Sequence, residues 1–207
     1  MSKYELYGMG ESGNSYKVAL MLELCGLAWT PISVDFFNGQ TRSPEFRKEV
    51  NELGEVPVLV DGTLKLTQSG VILDYLAEKT GKFGGSTPEE RREILRWILF
   101  DNHKFTSYIA TLRYMVSLMN MPEGPVTEFL RGRINNAMKI LDGHLASRQF
   151  LLGDKPTIAD ISMVGYLFYD GELPFEISPH VLAWCERIRA LPGWKHPYEL
   201  MERRKPN

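Results

Sequence analysis

At 207 residues, 43% hydrophobic and 24% charged, the chain has the size and composition of a globular protein that buries one good core or two small ones without covalent staples. Lys+Arg 24 against Asp+Glu 26 gives a formal charge of −2, which excludes the global positive field of a nucleic-acid or anionic-membrane binder. Residues 1–5 carry no apolar signal core and no apolar run approaches the ~18 residues of a membrane span, so a cytoplasmic protein is expected.

Residues 4–7 read as a short strand, and 14–26, with Val18, Ala19, Leu20, Leu22 and Leu24, as a buried helix closed by Gly26. A second strand is predicted over 29–35, a loop over 36–43, and a short helix from Pro44. The stretch 51–76 is the most informative of the chain. Two apolar runs, 58–60 and 64–66, flank Asp61-Gly62, a hairpin signal because glycine tolerates the positive φ of a tight turn. The pair is therefore antiparallel, and a helix follows from about Gln68. The order is β-α-β-α-β-β-α, that of a thioredoxin-like domain.

Val56 precedes Pro57 ahead of the first hairpin strand, so its backbone is free to pair with an extended peptide. Gln68-Ser69-Gly70 opens the next helix and sets an amide, a hydroxyl and unpaired N–H groups at the positive end of its dipole, which suits a carboxylate. Together they describe a receptor for a small acidic peptide.

Glycines and small polar residues over 81–87 make a linker, and Thr87, Pro88 and Glu90 supply a cap, a proline at the first helical position and a capping-box acid for a long helix. Beyond it the chain reads as all-α: Val126, Leu130, Ile134, Ala137, Leu141 and Leu145 recur at three- or four-residue spacing on one face. Thr157 and Asp160 have the spacing of a second capping box, a folding element with no catalytic role. The expected organisation is 1–80, a linker at 81–87, and a helical domain over 88–207. Arg203-Arg204-Lys205 reads as a solvated terminus. Cys25 and Cys185 lack Cys-x-x-Cys or metal-ligand spacing and read as buried thiols, so neither disulfide nor metal is expected.

Gly8-Met9-Gly10-Glu11-Ser12-Gly13 spells Gly-x-Gly-x-x-Gly between strand and helix, with Asp35 where a ribose-binding acid would sit. The antiparallel hairpin and the helical second half leave no second mononucleotide unit, and no nucleotide is expected.

Val56-Pro57 followed by Gln68-Ser69 resembles the glutathione-binding signature of the glutathione S-transferase family, and 153–161 resembles the Ser/Thr-x-x-Asp segment of that family's second domain. The likeness spans essentially the whole chain and is to the cytosolic, serine-using, theta- or phi-like classes, including bacterial ones. It implies glutathione as co-substrate, a homodimer, no nucleic acid, and detoxification by adding the thiolate to small, mostly apolar electrophiles. Alternatives on the same scaffold are a glutathione-dependent peroxidase, disulfide reductase, dehalogenase or isomerase, or a non-catalytic interaction protein.

Ser12 falls on the position of the hydroxyl that donates to the glutathione sulfur. The alternative is that Ser12 only caps the helix, with Asn14 or Ser15 as the active neighbour. The loop has no tyrosine or cysteine, which argues against tyrosine-type and mixed-disulfide chemistry. The resemblance further implies Val56 and Pro57 at the cysteinyl backbone, Gln68 and Ser69 at the γ-glutamyl group, and Gln40 and Arg42 at the glycyl carboxylate. Met9, Phe105, Tyr108 and Leu112 are candidates for the electrophile wall, though such spacing also describes core. Asp101 is placed to reach a neighbouring subunit's ligand, or to be a solvated or paired acid.

Overall fold

The computed structural model of the protein describes residues 4–204, so residues 1–3 and Lys205 of the basic tail lie outside the described residues. Two compact units are formed: the described residues up to Lys82 together with those from Pro192 onward, and Phe83–Leu191.

The first unit holds β1 (Tyr4–Gly8), α1 (Gly13–Cys25), β2 (Trp29–Ser33), α2 (Pro44–Glu49), β3 (Val58–Asp61), β4 (Leu64–Thr67) and α3 (Ser69–Thr80). The expected order is present, with β2 ending two residues early. The sheet runs β2-β1-β3-β4, β1 parallel to β2 and antiparallel to β3, and β3 antiparallel to β4. Reversal at β3 is what makes the unit unlike a dinucleotide fold. Helix α1 is buried almost all round, with Val18, Leu20, Met21 and Leu22 fully enclosed, and packs on α3 through Ile72, Leu73 and Leu76. Each such aliphatic side chain contributes about 1.5–3 kcal/mol. Gly26 ends α1 in the left-handed conformation (φ 70°), where its N–H caps the helix carbonyls.

The hairpin differs from the sequence expectation by one residue. Asp61 pairs with Leu64, so the turn is Gly62-Thr63. Asp61 is drawn into the strand because its carboxylate accepts from Tyr75 Oη of α3 at 2.7 Å and is bound by Lys79 Nζ.

The segment 192–204, predicted with the helical domain, instead packs in the first unit and carries α9 (Pro197–Leu200) against α1. Tyr16 Oη of α1 donates to Lys195 O at 3.0 Å, and Lys195 Nζ lies 2.7 Å from Glu23 Oε2. Gly10, from the glycine-rich loop, faces this segment: a Cβ there would lie 2.4 Å from Glu202 O.

The second unit contains α4 (Pro88–Phe100), α5 (Thr106–Arg113), α6 (Pro125–Leu145), α7 (Ile158–Met163) and α8 (Pro179–Arg189). Helix α4 starts as its capping residues dictate: Thr87 Oγ1 accepts from Glu90 N at 3.1 Å, while Glu90 reaches back to Ser86 N. The run from α4 to residue 118 is interrupted by two π-helical turns, Asp101–Phe105 and Tyr114–Leu118. On α6, Leu130, Ile134, Ala137, Leu141 and Leu145 are buried as predicted, but Val126 is 59% exposed. Thr127 takes the inward place because its hydroxyl closes the first turn on Gly124 N and O.

Asp160 is fully buried at the start of α7. Its carboxylate accepts four hydrogen bonds: Leu151 N and Trp184 Nε1 on Oδ1 (both 2.9 Å), Thr157 N (2.8 Å) and Thr157 Oγ1 (3.1 Å) on Oδ2. Burial pushes its carboxyl above the ordinary range, opposed by those donors. Both cysteines are buried and unbridged, and burial raises their thiols, Cys185 to about 12.

Candidate functional site

The site is built on two helix N-termini in the first unit. Ser12 caps α1 in an extended conformation (φ −87°, ψ 109°), its Oγ accepting from Ser15 N at 3.2 Å. A cap uses a lone pair of the hydroxyl, so the Ser12 O–H remains available to donate. Ser12 and Asn14 are half-buried, accessible from solvent. Ser15 is fully buried and its Oγ has no hydrogen-bond partner. A ligand sulfur cannot reach it, which removes Ser15 from the candidates.

Helix α3 begins at Ser69, 6% exposed, whose Oγ donates to Asn14 Oδ1 at 3.4 Å. That bond brings the positive ends of α1 and α3 together. Gln68, just before α3, holds a positive φ of 67°, and its Nε2 donates to Glu55 Oε2 at 3.0 Å. With Nε2 donating, the Gln68 side-chain oxygen is left as an acceptor near the Glu55 carboxylate.

The Val56-Pro57 peptide is cis. Sheet pairing begins at Val58, opposite Tyr7 and Thr67, so neither β1 nor β4 claims the backbone of Val56. The loop before it is fixed by Asn51, which is 6% exposed: Nδ2 donates to Glu55 O at 2.9 Å and Oδ1 accepts from Leu53 N at 3.1 Å.

Gln40 and Arg42 lie on a 3₁₀ turn (Gln40–Arg42) with exposed side chains, Thr41 between them being buried. Gln40 Oε1 accepts from Asp35 N at 2.6 Å, which leaves the Gln40 amide N–H groups outward as donors suited to a carboxylate. Hydrogen bonds from Asn38 hold the Asp35 carboxyl below the usual range, and the charge of Arg204 adds to this.

Three of the four side chains predicted for the electrophile wall are core. Met9 is 7% exposed, Phe105 1% and Leu112 0%, so Phe105 and Leu112 have no surface to offer and Met9 little, while Tyr108 is half-buried. Of the readings of Asp101, the paired acid is the one present: it is 0% exposed, accepting from Thr106 Oγ1 (2.6 Å) and Ser162 Oγ (2.7 Å). An acid enclosed in its own unit cannot reach a second chain. Residues that the sequence reading did not assign are Asn51, Glu55 and the segment 192–204. Only Gly10, a glycine without a positive φ, hinted at a close approach.

The N-terminal domain model of the glutathione S-transferase family matches residues 2–78 and its C-terminal domain model residues 109–192. Among curated proteins, glutathione S-transferase 3 of Zea mays is 28% identical, the match covering 94% of this chain and 93% of that one. Among solved structures, a glutathione S-transferase from Pseudomonas fluorescens is 32% identical with a TM-score of 0.88, covering 95% of this chain and 99% of that one. A theta class glutathione S-transferase from Xanthomonas axonopodis pv. citri, solved with glutathione bound, is 25% identical with a TM-score of 0.86 and 99% coverage of both. With both domain models matched and a relative above 30% identity over nearly its full length, the chain belongs to the glutathione S-transferase family.

Proposed function

We propose that the protein binds glutathione in its first unit and adds the glutathione thiolate to small, mostly apolar electrophiles. The observation that carries the reading is the meeting of two helix N-termini through the Ser69–Asn14 hydrogen bond, beside a Val56 backbone that neither neighbouring strand claims. Solved relatives with glutathione bound support the ligand. The cysteinyl backbone pairs with Val56 by strand addition, next to Pro57. On binding, the Ser69 O–H turns from Asn14 Oδ1 to the γ-glutamyl carboxylate, which the backbone N–H groups opening α3 also hold, and the Gln68 carbonyl with Glu55 takes its ammonium. Gln40 and Arg42 take the glycyl carboxylate. Ser12 donates to the sulfur, and Asn14 orients Ser69.

The energies suffice. Moving a thiol pKa from about 8.5 down by two units needs about 2.7 kcal/mol of preference for the thiolate. One charge-assisted hydrogen bond supplies about 1.5–3 kcal/mol and a helix N-terminus about 0.3–1.

Titration calorimetry tests the ligand. Glutathione is expected to bind, and Ser69→Ala to weaken its affinity about tenfold, the loss of one charge-assisted hydrogen bond, while slowing the bound reaction much less. The carboxylate contact is the same in ground and transition states, so its loss appears in KM. No heat at millimolar glutathione would end the reading. Conjugation is separated from peroxidase, reductase, dehalogenase or isomerase activity by a panel of electrophiles, peroxides and mixed disulfides.

A cytoplasmic homodimer belongs to the same proposal, and the described helices include none long and apolar enough to cross a membrane. Leu95 and Leu99, one turn apart on α4, are 55% and 59% exposed and offer an apolar strip to a second copy. Light scattering is expected to give about twice the 23.7 kDa of one chain, and a single chain's mass would contradict it.

A further inference from the structure

We propose that the segment 192–204 is a positioning strap for the loop between β1 and α1, holding Ser12 in place, and that residue 10 is glycine because the strap leaves no room for a side chain. The proposal rests on the role given to Ser12 above.

The strap is anchored at its start, away from the loop. Tyr16 Oη donates to Lys195 O, Lys195 pairs with Glu23, and a Cβ on Gly193 would lie 2.9 Å from Glu23 O. Its middle is stiffened by α9. There His196 Nδ1 accepts from Tyr198 N at 3.2 Å, Glu199 reaches back to His196 N at 3.3 Å, and Met201 N closes on Pro197 O at 3.1 Å. Leu200 and Met201 are buried, 8% and 5% exposed. The far end then crosses the loop.

A Cβ on Gly10 would lie 2.4 Å from Glu202 O, 2.7 Å from Met201 O and 2.8 Å from Glu202 C. All three are backbone atoms and cannot swing aside. Gly10 does not have a positive φ, so space and not backbone conformation demands glycine. Gly8 is crowded first by Ser15 of α1, a Cβ there lying 2.8 Å from Ser15 Oγ and 2.9 Å from Ser15 Cβ, with Met201 Sδ of the strap next at 3.1 Å. Ser12 stands two residues beyond Gly10, tied into the same turn by Ser12 N donating to Met9 O at 3.1 Å. Pressure on Gly10 is therefore carried to the hydroxyl at the sulfur. Beyond the crossing, Arg203 stacks over Tyr198 at 5.3 Å, and the charge of Arg204 bears on Asp35 in the loop that carries Gln40.

Seating an Ala at position 10 must displace loop or strap by roughly half an ångström or more in a close-packed interior. Small displacements of this kind cost catalytic alignment more than they cost binding. The test is the ultraviolet titration of the thiolate, at roughly 240 nm, in glutathione-saturated full-length protein. Gly10→Ala is expected to raise the midpoint by about half to one pH unit, so that turnover below the wild-type midpoint falls about three- to tenfold. Measured below the wild-type midpoint, where bound thiol ionisation adds little to affinity, the glutathione Kd should change less than about threefold, because its carboxylates are held elsewhere. Tyr16→Phe combined with Lys195→Met loosens the strap without touching the loop, and should shift the midpoint the same way by less. That pair decides the matter if Gly10→Ala does not fold. A lowered melting point with an unmoved midpoint in the folded variants overturns the strap, the role of Ser12 standing if Ser12→Ala still raises the midpoint. An unmoved midpoint in Ser12→Ala overturns both.

Discussion

Asp160→Ala is expected to lower stability by about 3–5 kcal/mol and the melting midpoint by roughly 6–20 °C. The side chain is 0% exposed and accepts from four donors, three of them N–H groups on separate pieces of chain: the 150–153 turn, the start of α7, and Trp184 of α8. An alanine leaves those three donors buried without an acceptor, at about 1–3 kcal/mol each before relaxation. An ordinary exposed cap would cost only about 1 kcal/mol. Thr157→Ala is the internal comparison. It removes one hydroxyl while leaving the carboxylate with three of its donors, so it should cost about 1 kcal/mol. Thermal unfolding followed by circular dichroism checks both. Equal midpoints for Asp160→Ala and Thr157→Ala would contradict the view of Asp160 as the clasp of the helical unit.

Ser12→Ala is expected to reduce conjugation roughly tenfold to a hundredfold near pH 6.5, with glutathione affinity nearly intact. The sign follows from the thiol. With Ser12 donating, the bound thiol ionises below about 8.5; without it, the midpoint climbs back toward that value, and less thiolate is present at neutral pH. The deficit should shrink as pH rises and disappear above about 8.5, where both proteins hold thiolate. Because Ser12 also caps α1, Ala additionally costs about 1 kcal/mol of stability. Ser12→Asp separates the two roles: it keeps a capping oxygen but sets a negative charge with no donor against the sulfur. Its stability should approach wild type while its activity stays at or below that of Ala. Activity restored by Asp would reduce Ser12 to a cap and move the chemistry to Asn14.

What the sequence made legible was local. The start of α4 at Thr87-Pro88, the clasp of Thr157 and Asp160, and the end of α1 at Gly26 each rest on residues within one turn of each other, and each is present. The hairpin was placed to within one residue, and the error came from Tyr75 and Lys79, which reach Asp61 from a helix formed later in the chain. The losses were tertiary. Met9, Phe105 and Leu112 have the apolar character of a pocket wall and of a core alike, and only burial separates the two. Asp101 in a long helix reads equally as a cross-subunit, a solvated or a paired acid until Ser162, sixty-one residues away, closes on it. Ser12 and Ser15 sit three residues apart on the same turn, yet one is accessible and the other sealed against Gly8. The approach of Glu202 to Gly10 spans nearly the whole chain, and no local pattern announces it.

The central claim, that the first unit holds glutathione with its sulfur at the N-terminus of α1, is tested most directly by titrating the bound thiol of the wild-type protein. Thiolate absorbance at roughly 240 nm is followed against pH with and without saturating protein. The expected midpoint lies about two units below the free value of about 8.5. A bound midpoint equal to that of free glutathione would contradict the claim.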